Sequence, residues 1–157
     1  MTSPRERVVV GVDGSQPSKQ ALRWGLFLAQ TTGAGIDAVI AWMIPASAGA
    51  GAVWPADWNP QQDAADVLHR TVTEVLGEQP QVPVREIVTV GGAARVLLEA
   101  SKDARILVVG SRGHGGFSGL LLGSVSAAVA EHASCPVLIV HGDQAPPLVA
   151  GSAQSAT

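Results

Sequence analysis

The residues from 110 to 124 read G-S-R-G-H-G-G-F-S-G-L-L-L-G-S, directly after the apolar run Ile106 to Val109 and directly before the helical pattern Val125 to Ala133. Strand, glycine loop and helix start, in that order, are how an α/β protein builds a cradle for phosphate. Gly110, Gly113 and Gly123 let the backbone come close to an anion. The following helix start, at Ser124, Val125 and Ser126, aims N–H groups and a dipole at the same point. Ser124 suits a plain N-cap as well as a phosphate contact. Ser111, Arg112 and His114 add polar groups to the first half of the loop. Arg112 and His114 are its strongly cationic or titratable side chains, and a phosphate contact and a solvated loop position suit each equally.

The spacing excludes two common phosphate sites. A Walker P-loop needs G-x-x-x-x-G-K-[ST], and no lysine lies between Ala104 and the C-terminus. A dinucleotide fingerprint needs G-x-G-x-x-G in the first βα turn, which here reads Gly11-Val12-Asp13-Gly14-Ser15. Nucleotide hydrolysis would need a placed water, a base and a metal clamp. Near the loop there is no acidic pair, and His114 is the single candidate base, so binding is expected rather than turnover.

Apolar runs of strand length alternate with amphipathic stretches, which predicts repeated βα units and a parallel sheet. The first strand is Val8 to Val12, unbroken by polar residues as expected when both faces are covered. Asp13 closes it, placed either to make an Asx-turn or cap with the amides of Ser15 or Gln16, or to meet a ligand. Pro17 suits an early helix position, and Ala21, Leu22, Gly25, Leu28 and Ala29 form one apolar stripe. Gly33 to Gly35 break that helix. A second strand is read from Ile36 to Ile44, a second helix from Asp63 to Leu76, a third strand from Val84 to Val90 and a third helix from Ala94 to Ser101. Arg105 to Val109 form the fourth strand, and Val137 to Val140 the fifth.

Residues 46 to 60 make a long connection that carries Trp54 and Trp58, and loops of this length tend to bind or cover something. The two indoles could cover a ligand, meet a partner subunit or pack on the second helix, with packing favoured over ligand contact. From Gly142 onward the chain is mostly Ala, Pro, Ser, Gly and Gln without a period. The expected division is therefore one domain over 1–142 and a disordered tail over 143–157.

With 157 residues and 46% hydrophobic content the chain supplies one sizeable core. A net charge of −3 offers no basic face for nucleic acid. No apolar run is long enough for a membrane span and no signal-peptide core opens the chain, so the expected address is the cytoplasm. Cys135 is the single cysteine, next to Pro136, and reads as a small buried filler.

The spacing Gly110-x-x-Gly113, nine residues, Gly123-Ser124 resembles the ATP-binding branch of the universal stress protein family. Three flanks agree with it in order: V-V-V-G-V-D-G-S at 8–15, A-L-R-W-G-L-F-L-A at 21–29 and S-C-P-V-L-I-V at 134–140. The resemblance implies a Rossmann-like α/β fold: one open parallel five-stranded sheet in order 3-2-1-4-5 with helices on both faces. It also implies that Asp13 lies near the adenosine moiety, beside Val12. At the second strand end, Ala41 and Trp42 would flank the adenine. Gly91 would stand at the third strand end, where relatives carry glycine followed by proline and this chain has Gly91-Gly92-Ala93. The implied cofactor is ATP, with Mg2+ arriving on its phosphates, and the alternative is cAMP. A ligand-free interaction module is a third reading, against which the intact glycine spacing argues. The implied partner is a second copy, paired through Val137 to Val140, an apolar edge that should not be left bare.

Overall fold

In a computed structural model, residues 6–45, 48, 49, 51, 53–113 and 122–148 are described. Five parallel strands run in the order β3-β2-β1-β4-β5. They are β1 (Arg7–Gly11), β2 (Gly35–Trp42), β3 (Val84–Val90), β4 (Ile106–Gly110) and β5 (Val137–Val140). The connecting helices are α1 (Gln16–Thr32), α2 (Pro60–Leu76), α3 (Ala93–Ala100) and α4 (Ser124–His132). The implied fold is the observed one.

The core has two layers because side chains alternate along each strand. Val8 and Val10 of β1 face one layer with Ala21 and Leu22 of α1 and Leu68 of α2. Val9 faces the other, with Val96 and Leu97 of α3 and Val129 of α4. All three valines are essentially inaccessible, and each buried side chain of this size contributes roughly 1.5–3 kcal/mol. Gly25 belongs to this packing: a Cβ there would lie 2.6 Å from Val10 Cγ2, so its absence lets α1 sit close against β1. Gly33 ends α1 at φ 70°, and its N–H donates to Ala29 O.

Several boundaries differ from the sequence reading, each for a local reason. β1 begins at Arg7 and stops at Gly11, while α2 begins at Pro60, where Asn59 accepts from the Gln62 amide at 3.1 Å. β2 ends at Trp42, short of the expected Ile44, because its neighbour β3 ends opposite it at Val90. There the Gly91 amide donates to Trp42 O at 2.8 Å, and Gly91 turns away with φ +138°. Met43 and Ile44 are left exposed beyond the ladder. The segment expected to be disordered makes a specific contact in its first part, since the Trp24 indole donates to Gln144 O at 2.9 Å. The remainder of that expectation, 149–157, lies outside the described residues.

At the amino ends of the strands, charged side chains close the sheet. Asp37 of β2 accepts from Arg7 Nε at 2.9 Å and from Arg85 Nε and Nη2 at 2.7 and 2.6 Å. Arg7 also donates to Ile36 O. Arg7 and Asp37 are 4% and 5% exposed, whereas the Arg85 side chain is largely in solvent. Burial alone pushes the Asp37 carboxyl up, but hydrogen bonds from Arg85 and Arg7 and their charges outweigh it and leave its pKa below the usual carboxylate range.

Candidate functional site

Helix α1 leaves β1 toward one face of the sheet and α4 leaves β4 toward the other, while β1 and β4 pair as neighbours. A crevice must open where such connections diverge, at the carboxyl ends of the two strands. A cavity of about 350 Å³ lies there. Gly11, Val12 and Asp13 from the end of β1 line it, with Ser18 from α1, Val39 and Ala41 from β2, Ala93 and Leu97 from α3, and Val109 and Gly110 from β4. Arg112 and Gly113 of the loop, then Gly123, Ser124, Val125 and Ser126 at the start of α4, complete the wall. One side of the cavity is thus aliphatic, the other backbone-rich and polar.

Asp13 faces the cavity from an Asx-turn. Its Oδ1 accepts from the Ser15 amide at 2.9 Å and from the Ser15 hydroxyl. Ser15 is itself the N-cap of α1. Both readings of Asp13 therefore meet in one residue: Oδ1 holds the turn, while Oδ2 is so near Gly113 that a Cβ there would collide with it.

The glycines of the loop have different reasons. At Gly110 a Cβ would lie 2.6 Å from Pro17 Cβ and 2.8 Å from Pro17 C, so this glycine admits the start of α1 against β4. At Gly123 the nearest atom to an added Cβ would be Arg112 Cα at 3.5 Å, an ordinary contact. Its φ of −72° suits any residue. Packing does not demand glycine at 123, which is one of the residues that line the cavity.

Gly123, and not Ser124, is the N-cap of α4, and it gives no side-chain cap. Ser124 is the first helical residue, because its backbone is already wound into the helix. The amides of Ser124, Val125 and Ser126 have no partner within the helix and carry the positive end of its dipole. The amides of two residues expected at the site are used by the protein itself. The Ser111 amide donates to Val140 O at 2.9 Å and the Gly123 amide to Ser111 O at 2.7 Å.

Ten of the fourteen residues expected at the site line the cavity: Val12, Asp13, Ala41, Gly110, Arg112, Gly113, Gly123, Ser124, Val125 and Ser126. Trp42 does not, since alternation after Ala41 turns its indole to the α1/α2 layer. Gly91 sits one strand further out, beyond β2, and Ser111 is buried without lining the cavity. His114 lies outside the described residues. Trp54 and Trp58 stack on each other, ring centroids 4.1 Å apart and planes 13° from parallel. Sequence reasoning missed Gly11, Ser18, Val39, Ala93, Leu97 and Val109. Ser18 had a signal, because it falls on the same helical stripe as Ala21, Leu22 and Gly25.

A family model described as the universal stress protein family matches residues 4–141. A universal stress protein of Mycolicibacterium smegmatis is 34% identical over 143 residues, covering 87% of this chain and 48% of that protein. The chain spans about half the length of the curated relatives it matches. A universal stress protein solved in complex with cAMP is 30% identical, with a TM-score of 0.57 over 88% of this chain and 98% of that one. A universal stress protein from Archaeoglobus fulgidus, solved in complex with dAMP, is 18% identical with a TM-score of 0.53, covering 87% and 98%, and shows the likeness of fold alone.

Proposed function

This chain belongs to the universal stress protein family, and we propose that it binds an adenine nucleotide in the crevice between β1 and β4. The observation that carries the proposal is the start of α4. It is a helix N-terminus without a side-chain cap, behind a glycine that lines the cavity and at which a Cβ would make only ordinary contacts. Such an end favours an anion by its amides and its dipole together. The aliphatic side at Val12, Val39, Ala41, Leu97 and Val109 suits a planar base. Asp13 stands between the two, where a carboxylate oxygen can accept from ribose hydroxyls. The solved relative with cAMP supports this class of ligand.

ATP is the first reading, from the glycine spacing. A magnesium ion arriving with it would be held by phosphates and water, because Asp13 is the one carboxylate among the described lining residues. The second reading is cAMP, favoured by charge: Arg112 is the one cationic side chain among those residues, and a single phosphate needs less positive charge than three. We read the role as regulatory and cytoplasmic, with occupancy altering an exposed surface. We further read the assembly as a homodimer through the open edge of β5, which pairs on one side with β4. Among the described residues no helix is long and apolar enough to cross a membrane.

Titration calorimetry with cAMP, ATP and ATP plus magnesium tests the assignment. Saturable binding of at least one is expected, and its ratio to the others chooses between the readings. Absence of heat with all three at millimolar supply would end the proposal. Light scattering at increasing concentration tests the dimer, and a constant monomer mass would remove it.

A further inference from the structure

Ser126 was expected among the groups that touch a phosphate, but its side chain is turned elsewhere. The residue is 3% exposed, and its hydroxyl stands 2.9 Å from Ser111 O and 3.0 Å from Gly123 O. A serine hydroxyl has one hydrogen, so the two carbonyls share it. Ser111 O also accepts from the Gly123 amide, and the Ser111 amide is tied to Val140 O on β5. A chain of hydrogen bonds therefore runs from the α4 start through both ends of the glycine loop to the last strand. All of it is built from described residues.

We infer that Ser126 is a positioning residue: its hydroxyl clamps the outgoing end of the loop at Gly123 onto the incoming end at Ser111. The inference deepens the nucleotide reading and rests on it where affinity is concerned. Without the clamp, Ser111 and Gly123 keep one backbone hydrogen bond between them, and the Ser124 and Val125 amides lose their fixed distance from Gly113 and Asp13 across the cavity. The hydroxyl itself touches no ligand. Its effect on binding comes from holding the cradle preformed, which lowers the ordering cost of association.

The test is hydrogen exchange in the nucleotide-free protein, followed by calorimetry with cAMP and ATP, on the wild type, Ser126→Ala and Ser126→Thr. In Ser126→Ala the Gly123 amide should exchange roughly three- to tenfold faster, the range expected for one lost hydrogen bond. Amides in the centres of β1 and β4 should keep their rates, and the better-bound nucleotide should lose affinity by a similar factor. Ser126→Thr, which keeps the hydroxyl, should restore both. The inference is overturned if Gly123 exchange is unchanged, if it rises without any loss of affinity, or if all amides accelerate together with a lower unfolding midpoint. A wild type that binds neither nucleotide while Ser126→Ala still shows the local exchange change would sink the nucleotide reading and establish the clamp, so the two failures are told apart.

Discussion

The two ends of this sheet solve opposite problems with the same five strands. At the amino ends, Arg7, Asp37 and Arg85 fill the space with charge and satisfy one another. At the carboxyl ends, glycines and short side chains surround a cavity, and a helix start there carries no side-chain cap. Polar groups that meet their partners inside the fold contribute to stability. Those that face a cavity are available to a ligand, and on the proposed function their loss should weaken binding more than folding. Mutations at the two ends should therefore separate stability from affinity.

The largest effect is expected from Asp37→Ala. Removing one partner of a buried ion pair leaves the other charge without compensation, which costs on the order of 3–5 kcal/mol. Arg7 is the group so stranded, while Arg85 can turn to solvent, so the lower part of that range, about 3 kcal/mol, is expected. Denaturant unfolding reads this directly. A loss under about 1 kcal/mol, typical of an exposed pair, would mean that the amino end is not the stabilising one.

Acid probes the same residue. The folded Asp37 pKa lies below the ordinary value, so its contribution is fully present above the unfolded pKa of about 3.9 and is lost as pH falls through that value toward the lower folded one. Stability should drop across this window more steeply in the wild type than in Asp37→Asn. Equal slopes would assign acid sensitivity to other carboxylates.

Gly110 and Gly123 sharpen the contrast within a single loop. Gly110→Ala forces a Cβ into the Pro17 backbone and should destabilise by about 1–3 kcal/mol, as overpacking does. Gly123→Val meets no such collision and has a φ open to any residue, so the unfolding midpoint should stay nearly unchanged while bulk is added at a residue that lines the cavity. Nucleotide affinity should fall at least tenfold, as seen by calorimetry. If Gly123→Val binds as well as the wild type, the cradle is elsewhere.

This pair also shows how far the sequence could be read. The glycine spacing located the loop, and the apolar runs located all five strands, because period and punctuation are local signals. The reason for each glycine was not local. Whether Gly110 serves a ligand or admits α1 depends on Pro17, ninety-three positions earlier (110 − 17). Trp42 and Ala41 are adjacent in sequence yet point to opposite layers, and which layer holds the cavity follows only from strand order and alternation. Leu97 and Ala93 entered the site from α3 because β1 lies beneath that helix, a fact of topology that no window of sequence carries. Ser126 was read only for the amide it adds to the helix start; what its hydroxyl holds depends on Ser111, fifteen positions earlier, and on a rotamer that no sequence carries.

The smallest expected effect is also the most selective. Asp13→Asn keeps an Oδ1 acceptor for the Ser15 amide, so the turn at the end of β1 should survive and stability should change by no more than about 0.5 kcal/mol, the usual range for changes that leave structural contacts in place. What the variant loses is the negative charge on the oxygen facing the cavity. A hydroxyl donating to a carboxylate forms a stronger bond than one donating to an amide, so AMP should bind a few-fold more weakly to the variant. The 2′-deoxy analogue, with one donor fewer, should lose less if Asp13 accepts from the 2′-hydroxyl. Calorimetry on both ligands and both proteins completes the cycle. A difference between the two losses would put the 2′-hydroxyl at Asp13, equal nonzero losses would put its contact at another part of the adenosine, and unchanged binding of both would reduce Asp13 to the turn it already makes.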